Sequence, residues 1–154
     1  MIFVPLAPAQ LRTMMADGGL GELVGFTATT ALRQAHGLGP ADDEQADFVA
    51  FGYAEAAAVA LAVEPVAGRT VVVLDVETTA ARPDDALGRV AVGRLRWSEV
   101  IAVYRDEPGA LELVGTVRTA TAGLDDEDAY GDPGMQMLLE DHDLLWHLPS
   151  EVAH

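Results

Sequence analysis

Cysteine is absent from the 154-residue chain, which excludes disulfides, thiolate nucleophiles and cysteine-ligated zinc or iron–sulfur centres. Lysine is absent as well, because all nine basic residues are arginine: Arg12, Arg33, Arg69, Arg82, Arg89, Arg94, Arg96, Arg105 and Arg118. That removes Schiff-base chemistry and the lysine of a phosphate-binding loop. Serine occurs only at Ser98 and Ser150, and no Gly-x-Ser-x-Gly turn presents a nucleophile. Dinucleotide-binding fingerprints are missing too. The glycine-rich stretch Gly18-Gly19-Leu20-Gly21 follows a predicted helix instead of a strand and lacks the required spacing, so it reads as a turn. No apolar run approaches the roughly 20 residues that span a bilayer, which predicts a protein without a membrane partner. No basic segment precedes the short apolar run at residues 2–6, which argues against a secretory signal. Together with the missing cysteine this predicts a cytoplasmic location.

What is abundant is negative charge. Twenty-five acidic residues against nine basic ones leave a formal charge of −16. Phosphate binding needs basic side chains to displace counterions, so nucleic acid is excluded as a direct ligand. Such a charge keeps a surface solvated. Its sharper use is to dock on a protein partner with a basic surface, including by imitating the charge of DNA. Beyond Arg118 no basic residue but histidine occurs, whereas Asp125, Asp126, Glu127, Asp128, Asp132, Glu140, Asp141, Asp143 and Glu151 all follow. The chain therefore reads as one domain, residues 1–154, with an acidic C-terminal segment over about 124–154.

The organising stretch is Arg69 to Thr78, the longest run of β-branched and aliphatic residues, with Gly68 before it and Pro83 after it. It predicts a buried strand on which Val72, Leu74 and Val76 face one way and Val71, Val73 and Asp75 the other. Upstream, residues 2–6 predict a strand, Pro8 opens a helix carrying Leu11 and Met14, and residues 22–28 predict a second strand. Thr29 or Thr30 caps a short helix that stops at Gly37, with His36 at its end. The longest helix runs from about Asp43 to Glu64, is rich in alanine and is closed by Pro65. Residues 89–97 and 98–104 predict further strands, the first with Gly93 permitting a bulge. If no bulge intervened, Val90, Val92, Arg94 and Arg96 would share a face. Periodicity alone favours a hairpin over residues 106–117, with a helix there as the alternative.

Several segments in order, Val-Pro-Leu at 4–6, Thr-Ala-Leu-Arg at 30–33, Tyr-Ala-Glu-Ala-Ala at 53–57 and Val-Leu-Asp-Val at 73–76, form a pattern. Trp-Ser-Glu-Val-Ile-Ala-Val at 97–103 and Glu-Asp-His-Asp-Leu-Leu-Trp at 140–146 extend it over most of the chain. In this it resembles a family of short acidic actinobacterial proteins of unknown function. The resemblance implies no activity, but it implies a helix at residues 109–120. The chain departs from the pattern at Asp132-Pro133-Gly134, which leaves the neighbouring helix boundaries open.

Two groups carry chemistry. Asp75 and Glu77 at the exit of the central strand suit a catalytic base or a magnesium site, unless Asp75 instead pairs with Arg94 or Arg96. Asp141, His142 and Asp143 are metal-ligand types. Consecutive residues on a helix point about 100° apart, however, which favours a helix end leading to an apolar anchor of Leu144, Leu145, Trp146 and Leu148. The fold expected is α+β: a mixed sheet of four to five strands packed by the alanine-rich helix and shorter ones. The function expected is a non-catalytic protein-interaction or regulatory module without a cofactor, contacting its partner through Asp125, Asp126, Glu127, Asp128 and Trp146. The alternatives are a metal-dependent enzyme acting on a small substrate through Asp75/Glu77 or Asp141/His142/Asp143, with a divalent metal as cofactor, and a DNA mimic that binds a basic protein.

Overall fold

A computed structural model describes residues 1–64, 67–76 and 85–153. In chain order its first elements are β1 (Ile2–Leu6), α1 (Pro8–Asp17), β2 (Gly19–Leu20), β3 (Leu23–Phe26), α2 (Thr30–Ala35) and α3 (Asp43–Leu61). There follow β4 (Thr70–Leu74), β5 (Arg89–Val92), β6 (Leu95–Arg96), β7 (Val100–Arg105), α4 (Leu111–Thr121), α5 (Asp126–Tyr130), α6 (Pro133–Asp141), β8 (Leu145–His147) and α7 (Pro149–Val152). One sheet takes the order β5-β3-β1-β4-β7-β8, and β2 pairs with β6 in a second, small sheet.

β1 and β4 are the middle of the sheet, and every residue of both is buried. Their register, Ile2 opposite Leu74 through Leu6 opposite Thr70, matches one apolar run to the other. Side chains alternate across a strand, so β4 feeds two cores. Val72 and Leu74 join Leu11 and Met14 of α1 and Val152 of α7, while Val71 and Val73 join α3. On α3, Ala46, Ala50, Ala54 and Ala58 recur every fourth residue, which stacks them on one face against the sheet. Their small side chains bring the helix axis close to the strands. A second stripe, Ala56 and Val59 of α3 with Ala62 just past its end, packs on Val114 and Val117 of α4 and on Met135 and Leu138 of α6. Large side chains on the partners fill the space that the alanines leave.

The result is an α+β domain, with differences in detail from the expectations above. The sheet has six strands, and every pair in it is antiparallel. The additional strand of this sheet is β8, which the C-terminal segment adds at the edge opposite β5, while the 89–97 segment breaks after Val92 and sends β6 to the small sheet with β2. The same break removes Arg94 and Arg96 from the face shared by Val90 and Val92 and leaves both arginines exposed. Residues 111–121 are helical, as the resemblance implied. Asp132 caps α6 by accepting from the Met135 amide at 3.1 Å, with Pro133 in the first turn, so the Asp-Pro-Gly break is a helix start. The expected C-terminal anchor is corrected: Leu144 is buried, but Leu145, Trp146 and Leu148 are 47%, 54% and 45% exposed, and Val152 supplies the second buried contact. Pro65, which was expected to close the long helix, and Pro83 lie outside the described residues. Among the described residues no helix is long and apolar enough to cross a membrane.

Candidate functional site

The acidic run at 125–128 folds into a short helix for local reasons. Gly123, with φ +82°, turns the chain out of α4, and Asp125 then caps α5 by accepting from the Asp128 amide at 2.8 Å. Asp126, Glu127 and Asp128 occupy the first turn, where unpaired amides favour negative charge. Tyr130 closes the helix by packing against Tyr53 of α3, with ring centroids 4.6 Å apart and the planes tilted by 59°. Gly52 lies beneath: a Cβ there would stand 3.9 Å from the Tyr130 hydroxyl.

Under α5 runs a cleft. Its inner part has a volume of about 500 Å³ and is floored by Phe26 of β3, by Ala56, Ala57 and Ala60 of α3, and by Leu87 and Met135. Its outer part is lined by His36, Asp85, Arg89, Asp125, Asp126 and Glu127, and the two parts share Tyr53, Leu87, Asp126 and Tyr130. The inner volume lies within the range of small-ligand and side-chain pockets, about 300–1,000 Å³. Arg89 bridges the mouth. It donates from Nε to Asp85 at 2.6 Å and from Nη1 to Asp126 at 3.0 Å, which ties the sheet edge to α5. The Asp85 side chain is nearly buried in this pair, whereas Asp126 is 47% exposed. Four carboxylates against one guanidinium leave the outer part anionic. Tyr53 is within 2.9 Å of His36 Nε2. Burial, and then the neighbouring Tyr130 and Glu127, raise the Tyr53 phenol above its ordinary value, so it stays protonated at neutral pH. The arrangement offers two aromatic faces, an apolar floor and surplus negative charge. That combination suits a cationic group on an apolar stem.

The other predicted residues lie elsewhere. β4 ends at Leu74, so Asp75 is exposed beyond the strand instead of being held on its inner face. Among the described residues it forms no ion pair, with Arg94 and Arg96 or with any other group. Glu77 lies outside the described residues. Asp141 ends α6 exposed and Asp143 is exposed in the connection to β8. His142 between them is half-buried, with Nδ1 3.6 Å from Glu107 Oε1. Among the described residues no three histidine or acidic side chains are placed to hold a metal ion together. Trp146 sits on β8, opposite Tyr104 of β7. β5 and β8 are the two edges of the sheet; Trp146 is on β8, whereas α5 is tied through Asp126 to Arg89 of β5. The predicted contact residues therefore divide into two surfaces.

Sequence reasoning missed a buried ionic cluster. Arg69 is completely buried and donates from Nε and Nη2 to Asp106 at 2.9 and 2.6 Å, and from Nη2 to the His142 carbonyl at 2.8 Å. Its Nη1 faces Glu55 at 3.5 Å. Burial lifts the Glu55 carboxyl to about 7, against the pull of Arg69, and Asp143 and Asp106 add to the lift. Asp106 is 37 residues from Arg69 and Glu55 is 14, distances over which no local pattern operates. The one available signal was an arginine opening the most apolar run. No curated protein and no solved structure matches the chain. The sequence pattern of a family of unknown function, DUF6912, matches residues 1–154, and the chain belongs to that family.

Proposed function

We propose that the protein is a non-catalytic cytoplasmic interaction module that binds a basic, partly apolar segment of another protein in the cleft beneath α5. The observation that carries this reading is the junction of an apolar floor with the Tyr53–Tyr130 pair and an anionic mouth formed by Asp85, Asp125, Asp126 and Glu127. An incoming arginine or lysine places its stem over the floor and its charge among the carboxylates, competing with Arg89 for the half-exposed Asp126. The net charge of −16 steers such a partner toward the protein at low ionic strength.

The test is calorimetric titration of the full chain with a peptide of alternating leucine and arginine. Binding is expected at low salt and should weaken as salt is added. Asp125→Asn, Asp126→Asn and Glu127→Gln together should weaken it about tenfold or more. Asparagine still serves as an N-cap, so α5 should survive the change. Trp146→Ala, at the far edge, should leave binding unchanged. Equal binding by the triple variant, or loss of binding on Trp146→Ala alone, would refute the assignment.

A further inference from the structure

On the opposite face of the sheet a second cavity, of about 600 Å³, opens between α1, β7 and β8. Three of the chain's nine arginines line it, Arg12, Arg69 and Arg105, which is unusual in so acidic a protein. Arg69 is fully engaged with Asp106, and Arg12 is engaged with Glu64 at 2.5 Å in an exposed pair. Arg105 differs. It is half-buried, and among the described residues its side chain makes no ion pair. Among the described residues its guanidinium also has no hydrogen-bond acceptor, and its nitrogens are not shielded from solvent, so its donors are open to a ligand entering the cavity.

The register places a second donor beside it. Arg105 lies opposite Leu145 and Val103 opposite His147, so Arg105 and His147 are diagonal neighbours on one sheet face. His147 Nδ1 is shielded from solvent and has no hydrogen-bond partner. Leaving an N–H unpaired costs more than leaving a lone pair unpaired, so the proton belongs on Nε2, which makes that nitrogen a donor. Leu11, Met15 and Leu145 supply apolar walls. The acids of the lining restrict the guest: Asp106 is bonded to Arg69 and Glu64 to Arg12, while Glu107 is exposed. Glu64 and Glu107 repel a dianionic phosphate more strongly than a single carboxylate, for which Arg105 and His147 are the uncommitted donors of the lining.

We propose that this cavity binds a small organic monocarboxylate with an apolar tail, its carboxylate held by Arg105 and His147. This site does not depend on the cleft beneath α5. The probe is octanoate, titrated into the isotope-labelled full chain while the His147 imidazole and Arg105 Nε–Hε resonances are followed. Saturable shifts are expected at both groups below about 10 mM, the weak end for a ligand of this size. Arg105→Gln should weaken octanoate about tenfold, and Arg105→Lys less, because lysine keeps the charge but loses the bidentate fork. Octanol should shift neither group at the same concentrations. Absence of saturable shifts, undiminished affinity in a folded Arg105→Gln variant, an equal response to octanol, or an equal response to inorganic phosphate would each overturn the proposal.

Discussion

At Arg69 one guanidinium meets two carboxylates and divides itself unequally between them. Asp106 takes Nε and Nη2, which leaves Glu55 a longer contact in a site that water barely reaches. Desolvation then outweighs attraction, and the Glu55 carboxyl rises from 4.5 to about 7. A carboxyl raised in the folded state contributes stability that is fully present below the unfolded value and is lost as pH rises through the folded one. For Glu55 that window runs from 4.5 to about 7. Glu55→Gln keeps the uncharged shape, so its melting temperature relative to the wild type should climb across this window and level off above it. Melting curves at half-unit pH steps check this, and a constant difference would contradict it. None of this was legible in advance. Arg69 and Val71 stand two residues apart in one apolar run, and nothing local distinguishes the arginine that is buried from those that are solvated.

The elements themselves were far more legible, because periodicity and capping are local. Pro8 opening α1, Thr29 capping α2 and the alternation of Val71, Val72, Val73 and Leu74 across β4 all appear where residue type and spacing require them. What could not be read is which stripe of α3 faces what. Phe48, among the bulkiest residues of that helix, is 77% exposed, while Ala50 and Ala54 are completely buried. Bulk is excluded along the Ala46–Ala50–Ala54–Ala58 line, where the helix lies against the strands, whereas Phe51 to one side of that line packs on Phe3 and Tyr104. Ala54→Leu should therefore destabilise the protein by about 1–3 kcal/mol through overpacking. Phe48→Ala should change stability by no more than about 0.5 kcal/mol. Urea denaturation of the two variants checks both, and a larger loss at position 48 would reverse the orientation described for α3. The edge strand β8 was equally hidden: an expected buried anchor became a strand because β7 had an open side to pair.

Across the whole molecule the surplus of acid is not spread evenly. Arg12, Arg33, Arg69 and Arg89 are each paired to a carboxylate, and the run at 125–128 faces solvent with Arg89 as its one contact among those ion pairs. Self-repulsion at a charge of −16 should weaken the folded state when screening is poor. The melting temperature should thus rise by several degrees between about 20 mM and 500 mM sodium chloride, and calorimetry at both concentrations measures it. A fall would mean that attractive pairs such as Arg89–Asp126 outweigh the repulsion. The sheet order also sets a timetable for synthesis. β7 is completed by residue 105, but the strand that covers its outer side begins at residue 145. A growing chain thus carries the open edge Val-Ile-Ala-Val-Tyr-Arg while the intervening helices emerge, and such an edge is a template for pairing with a neighbouring copy. On a polysome, the surplus of negative charge keeps adjacent nascent chains apart until β8 arrives.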